Sequence, residues 1–368
     1  MDFGLSEEQQ QLKESARAFL SGECPTTFVR KTMATGEGYP RELYDHIAKL
    51  GWRGLIVPEK FGGAGLGMLD MAVILEEGGY AAMPGPFLFS SVLAASALKL
   101  SGSEQLKAKW LTPLAEGKAI GTVAIVESAG SIDQRDINAT ATKGGAGFHL
   151  TGAKMFVPYA NVADFVVVAA KNNAREISLF VADAKAPGVT IRSLKNLDLT
   201  RRVSNVELKG APAEQLGGGD DLFAKLIDVA AIAVAADSLG GTERALEMAV
   251  DYSKVREQFG KPIGSFQALK HAAAEIVADV EPARAMLWYA AYAQDTGAAD
   301  AERVASMAKA RLCDIYSRGT DRAVLMHGGI GFTWEHDMHL WFKRARFNES
   351  YFGSPSFHRE RVAVLGAY

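Results

Sequence analysis

The chain has 368 residues, 48% of them hydrophobic and 23% charged, with a formal net charge of −3. That length predicts two or three closely packed domains, and that balance excludes a disordered chain, which could not bury enough apolar surface to offset its ordering entropy. No long basic or acidic run is present, so nucleic acid is not an expected partner.

The opening residues, MDFGLSEEQQ, have neither a basic n-region nor an apolar h-region. No secretory signal is expected, and a cytoplasmic location is. Cys24 and Cys313 are far apart and lack metal spacing, so both read as reduced thiols.

In chain order, residues 1–118 read as a helical domain. Ser6 with Gln9 has the capping-box pattern, and Glu7 and Glu8 suit the first turn. Leu12, Ala16 and Phe19/Leu20 recur at helical spacing. Further periodic stretches cover Leu43–Leu50, Leu69–Glu77 and Phe87–Leu100, interrupted by Gly62, Gly63, Gly65 and Gly67.

Residues 119–215 read as a middle β domain. GTVAIVES, GFHLTG, DFVVVAA, EISLFVAD, GVTIRSL and VSNVELKG are β-rich and separated by turn residues, as in an antiparallel barrel or sandwich. Ser204, Val206 and Leu208 alternate with Val203, Asn205 and Glu207, an imperfect one-face-buried pattern.

Residues 216–368 read as a helical bundle domain. Gly217–Gly219 forms the linker, with Asp220 as N-cap. Helices are expected to Lys254, from Phe266 to Asp295 and from Asp300 to His327. A last one starts at Ser354 as N-cap with Pro355 in the first helical position. The apolar window Leu222–Leu239 carries Lys225, Asp228 and Asp237, so it reads as a buried helix and not a membrane span. The overall class is α+β. Strands and helices do not alternate, and neither G-x-G-x-x-G between strand and helix nor G-x-x-x-x-G-K-[ST] is present, which argues against a βαβ nucleotide fold.

The stretch with most chemistry is YSKVREQFGKPIGSFQALKHAAAEI, Tyr252–Ile276. Arg256 is a permanent cation with a planar fork suited to a pyrophosphate. Phe259 can pack on a flat ring or sugar, and Gln267 offers both donor and acceptor. The residues alone suit better an exposed helix end with a solvated arginine and a core phenylalanine.

The pattern R-x-x-F-G-x-x-[IL]-x-x-x-Q at Arg256–Gln267 resembles the C-terminal signature of acyl-CoA dehydrogenases. MHGGIGFTWEHDMHLWFKRA, Met326–Ala345, is a second similar stretch, and GWRGLIVPEKFGGAGLGMLDMAVILEEGGY, Gly51–Tyr80, is similar to that family's N-terminal domain. The resemblance covers essentially the whole chain. It implies three domains (helical, antiparallel β-barrel, four-helix bundle), FAD as cofactor, an acyl-CoA substrate, and an electron-transferring flavoprotein as electron acceptor. It also implies a tetramer in which each FAD lies across two subunits, the second supplying Arg256, Phe259, Gln267, Gly328 and Gly329 for the pyrophosphate and adenosine. Where the family often has a glutamine three residues before the Gly-Gly pair, this chain has Leu325.

The half that would face the flavin ring departs further. The family's T-E-P-x-A-G-S-D matches IVESAGSID, Ile125–Asp133, and K-x-W-I-T-N matches KMFVPY, Lys154–Tyr159. Glu127, Gly130 and Ser131 remain. Val126 and Pro158 replace threonines, and Phe156, which replaces a tryptophan, could still stack on the ring. Neither family position for the catalytic base holds a carboxylate. Y-E-G-T matches YFGS, so Phe352 stands in place of the glutamate, and the helical alternative falls at Ala230 and Ala231.

The resemblance is therefore to the base-lacking subunit of a heterotetrameric bacterial acyl-CoA dehydrogenase of the steroid side-chain type. A homologous partner would supply the glutamate, and the substrate would be a bulky, ring-bearing acyl-CoA. Two alternatives stay open. One is a self-sufficient homo-oligomer using Glu349 as base, and the other an inactive scaffold subunit. His336, Asp337 and His339 are read as structural and not as metal ligands. His271 is expected to cap or pack within the bundle.

Overall fold

The computed structural model describes residues 4–366, except 146, 175 and 218. Helices come first: α1 (Glu7–Glu23), α2 (Thr26–Met33), α3 (Arg41–Lys49), α4 (Met68–Tyr80), α5 (Ala95–Leu100) and α6 (Glu104–Ala115). The capping box at Ser6 and Gln9 forms on both sides. The expected helix at Phe87–Leu100 is instead a π-helical stretch, Leu88–Ala94, running into α5.

Seven strands follow: β1 (Gly121–Ala124), β2 (Thr140–Gly144), β3 (Gly147–Pro158), β4 (Phe165–Lys171), β5 (Ile177–Asp183), β6 (Val189–Ser193) and β7 (Val203–Gly217). Pairing runs β4–β2–β3–β7–β5 and returns from β5 to β4, which closes the sheet. Closure removes open edges that would otherwise template wrong pairings. Most ladders are antiparallel, as expected, but β1 and β2 both pair with β4 in parallel. Residues 125–164 separate β1 from β4, a connection long enough to permit a parallel partner. Ala141, Leu150, Val166, Val168, Phe180, Val206 and Leu208 fill the interior. On β7 the buried face is Ser204, Val206 and Leu208.

α7 (Gly219–Val255) follows β7 almost directly. Gly217 ends the strand, Gly219 opens the helix, and Gly218 lies outside the described residues. Asp220 is thus inside the helix and is not its cap. A two-strand hairpin, β8 (Glu257–Gln258) and β9 (Lys261–Pro262), precedes α8 (Gln267–Thr296), α9 (Ala301–His327), α10 (Met338–Ser350) and α11 (Pro355–Leu365). Ser354 caps α11 with Pro355 at its start, as anticipated. His271, expected to cap or pack, is exposed on α8, because the inward positions there belong to Ile276, Val280, Ala283 and Leu287.

The chain divides into two compact units. One comprises Met1–Lys31, Ala72–Met83 and Ala231–Tyr368, the other Thr32–Met71 and Pro84–Ala230. In the first, α4 and α7 touch backbone to backbone at glycines. A Cβ on Gly240 would stand 1.7 Å from the Glu76 carbonyl oxygen, and one on Gly79 2.0 Å from that of Asp237. Buried Glu76 pairs with Lys13 and Arg284, and Glu77 with Arg17, tying α1 and α8 to α4. No helix among the described residues is long and apolar enough to cross a membrane.

Candidate functional site

In the helical unit, a cavity of about 930 Å³ lies where the end of α7, the hairpin, the start of α8 and the end of α9 meet. Arg256 follows the last residue of α7 and its guanidinium is solvent-facing. Among the described residues it makes no ion pair or side-chain hydrogen bond. A cation left unpaired in a cavity wall is available to an anion.

Phe259 is the first residue of the two-residue hairpin turn. It is 91% exposed, with φ +54°, and Gly260 follows at φ +75°. Positive φ at both positions is the geometry such turns demand, which suits glycine or asparagine and strains a phenylalanine by about 1–2 kcal/mol. A strained aromatic held almost wholly in solvent gains little packing within the chain in return, and such strain concentrates at ligand sites. Phe259 meets Phe266 edge-on, with centroids 6.0 Å apart.

α9 ends at His327, and Gly328 takes φ 66°, ψ −148°, a region essentially restricted to glycine. Neither Gly328 nor Gly329 has any atom within 4 Å of where a Cβ would stand. Their backbone is open to the cavity, the condition for amides to approach a phosphate. Gln267 is exposed at the first turn of α8, flanked by the cavity residues Phe266 and Ala268. The structure therefore brings Arg256, Phe259, Gly328 and Gly329 onto one cavity with Gln267 at its margin. Leu325, 78% exposed, lines the same wall.

The β unit holds the other predicted residues. Glu127 accepts from the Asn138 and Ala139 amides, both at 2.9 Å, and from Lys154 at 2.7 Å. Burial works to raise its carboxyl, but Lys154 and the two amides outweigh burial and hold it below the usual range. Burial pushes the Lys154 ammonium down to about 8, against the pull of Glu127. This pair is a strut under the 125–139 loop. Ser131 is half-buried, its Oγ accepting from the Asp133 amide at 2.9 Å. Phe156 is 45% exposed and held at φ +53°. Half-buried Val126 and buried Pro158 offer no side-chain hydrogen-bonding group. The residues around the cavity thus fit a dinucleotide, while Val126 and Pro158 lack the hydroxyls that would polarise a flavin ring.

At the base position Phe352 is 3% exposed, again at positive φ, +54°. Its turn is clamped: His358 Nε2 lies 2.8 Å from the Phe352 oxygen, and buried Lys309 donates to the oxygens of Asn348 (2.8 Å) and Gly353 (2.9 Å). Ala230 and Ala231 are fully buried. Glu349 Oε2 accepts from Ser317 Oγ at 3.0 Å and from Arg346 at 3.1 Å, which fixes the orientation of the carboxylate. Arg30 bonds Asp337 at 2.6 Å and the His336 oxygen at 3.0 Å, while Trp334 stacks on His339 at 4.8 Å. Burial, with Lys343 and Arg30 nearby, pushes His339 down to about 4.

Two features of the cavity were not anticipated from the sequence, Tyr252 with His327 and the guanidinium of Arg322. Arg322 could have been found by its spacing, three residues before Leu325 on one helix face.

A closed β-barrel in one unit and a helical bundle with an open, arginine-bearing cavity in the other are the features expected of a flavoprotein dehydrogenase class. Matches to known families agree: the acyl-CoA dehydrogenase N-terminal domain covers residues 6–118, the middle domain 122–209 and the C-terminal domain 217–364. The chain belongs to the acyl-CoA dehydrogenase family, whose members are FAD-dependent oxidoreductases acting on CH–CH bonds of acyl-CoA thioesters. It is similar to the acyl-CoA dehydrogenase IpdE2 of Mycolicibacterium smegmatis, 33% identical over 364 residues, 99% of each chain. In structure it is similar to a chain of the ChsE4–ChsE5 complex from Mycobacterium tuberculosis, with TM-score 0.93 and 30% identity over 100% of this chain and 99% of that one. A variant of the Tcur3481–Tcur3483 steroid ACAD gives TM-score 0.91 and 30% identity over 98% of each chain.

Proposed function

We propose that this chain supplies the nucleotide-holding half of an FAD site to a homologous acyl-CoA dehydrogenase subunit, which supplies the flavin-ring pocket and the catalytic glutamate. The observation that carries the reading is the contrast between two positions. Arg256 stands unpaired on an open cavity, whereas Phe352 is buried where a base would have to stand. Arg256 would pair with the pyrophosphate, Gly328 and Gly329 would present amides to it, Phe259 would cover the adenosine and Gln267 would bond to it. Ser131 and Phe156 belong to this chain's own ring-side set and could border only a second flavin ring, to which Val126 and Pro158 offer no side-chain hydrogen bond. FAD, when bound, accepts the hydride that leaves the β-carbon. The α-proton needs a carboxylate within hydrogen-bond reach, which Phe352, Ala230 and Ala231 cannot provide, and Glu349 is held through Oε2 by Ser317 and Arg346.

The pairing of unlike chains named in the ChsE4–ChsE5 complex supports a heteromeric assembly for this chain. A tetramer, a cytoplasmic location and domain boundaries at 118/119 and 215/216 of this chain are part of the same proposal. The word steroid in the Tcur3481–Tcur3483 description favours a ring-bearing acyl-CoA substrate. An electron-transferring flavoprotein is the expected electron acceptor. The test is purification of the chain alone and with a homologous partner. Alone it should retain little flavin and oxidise no acyl-CoA. Full flavin content and turnover without a partner overturns the reading. If that occurs, loss of turnover in Glu349→Gln identifies a self-sufficient enzyme. Unchanged flavin affinity of the complex after Arg256→Ala marks a scaffold subunit instead.

A further inference from the structure

The cavity wall carries a second guanidinium to which the family resemblance assigns no role. Arg322, on α9, lines the same cavity as Arg256. It sits one helical turn before Leu325 on the same face, so it projects beside the position where this chain lacks a polar side chain. Its partner is Glu275 on α8, and the pair is open to solvent, with side chains 38% and 58% exposed. Exposed pairs of this kind are weak and give way readily to a better-placed anion.

A diphosphate diester carries two negative charges near neutral pH. Arg256 answers one of them. Of the other cavity-lining side chains, only Arg322 is a permanent cation, since burial lowers the basicity of His327. Arginine suits the task because its planar fork meets phosphate oxygens in a bidentate fashion.

We infer that Arg322 is a second phosphate ligand for the nucleoside diphosphate portion of the dinucleotide, and that Glu275 holds it as a competing anion until the diphosphate enters. This rests on the dinucleotide reading of the cavity. It adds that the charge balance of the site is completed from α9, and that the α8–α9 ion pair opens on binding.

The test measures binding of FAD, and of ADP as the bare diphosphate probe, to the full chain in its assembly, with four variants. Arg322→Ala should weaken both ligands by about tenfold, the loss typical of one charge-assisted hydrogen bond, and should flatten the salt dependence of binding. Arg322→Gln serves as a second variant should the alanine change impair folding. Glu275→Gln should tighten both ligands by roughly threefold, because the competitor is gone. Three results overturn the inference: unchanged affinity in Arg322→Ala while Arg256→Ala loses binding; loss of FAD without loss of ADP; or equal weakening by Glu275→Gln and Arg322→Ala, which marks the pair as a structural strut. Unchanged affinity in Arg256→Ala as well removes the dinucleotide reading itself.

Discussion

The imidazole of His327 stacks on the ring of Tyr252, with centroids 4.7 Å apart and planes 27° from parallel. Tyr252 is one turn before Arg256 on α7, whose backbone N–H it accepts at 2.9 Å, and His327 immediately precedes Gly328 on α9. His327 Nδ1 is 2.7 Å from the Ala323 oxygen, so that nitrogen carries the proton and donates. The stack is the link that sets the arginine and the Gly-Gly turn at a fixed spacing.

His327→Ala should therefore loosen both sides of the cradle at once. We expect a loss of roughly 2 kcal/mol in stability and about a tenfold loss in flavin affinity. His327→Phe keeps the stack and should recover most of the affinity. Thermal unfolding and flavin titration check this, and equal affinities for His327→Ala and wild type would exclude the coupling.

Phe259→Gly separates stability from binding. Glycine accepts φ +54° without strain, so the flavin-free variant should gain up to about 1 kcal/mol, net of the added freedom of its unfolded chain. Flavin affinity should fall about tenfold, since an aromatic contact is lost. Denaturant unfolding of the flavin-free protein is the deciding measurement, and a destabilised variant would show that the ring packs within the chain after all.

Removing Lys154 leaves the Glu127 carboxylate buried with amides alone. Lys154→Met should cost about 3–5 kcal/mol, and adding Glu127→Gln should recover part of that loss. Additive losses in the double-mutant cycle would contradict the strut.

The turn bearing Phe352 gives the protein an acid sensitivity. Burial and the neighbouring Lys309 ammonium push His358 down to about 4 from an ordinary 6.5. Between those values the unfolded chain takes a proton that the folded chain refuses. The stabilising contribution is thus complete above pH 6.5 and is lost as pH falls to 4, on the order of 3 kcal/mol. His358→Gln keeps a donor for the Phe352 oxygen and should flatten the stability profile across that window. An unchanged slope would place the sensitivity elsewhere.

Much of the fold could be read from residue patterns because those patterns are local. Ser6 with Gln9, and Ser354 with Pro355, write helix starts within four residues, and the even spacing of Ser204, Val206 and Leu208 writes a buried strand face. Parallel pairing of β1 with β4 depends on partners some forty residues apart and leaves no local mark. The nucleotide-side positions were legible as a motif because Arg256, Phe259 and Gln267 fall within one short segment. Arg322 was not, since its place in the cavity arises only when α9 lies beside α8. His271 misled because an alanine-rich helix has no strong amphipathic stripe to say which side faces inward.

The rim around the cavity has a consequence for supply in the cell. Val255, Phe259, Leu325, Phe332 and Trp334 are all more than half exposed, on the segments that form or adjoin the cavity wall. A newly made chain that meets no counterpart presents this greasy collar to chaperones and to its own copies. Output of this polypeptide must then be matched to that of whatever covers the collar. Overproduction of one without the other should fill inclusion bodies, and balanced synthesis from one transcript should empty them.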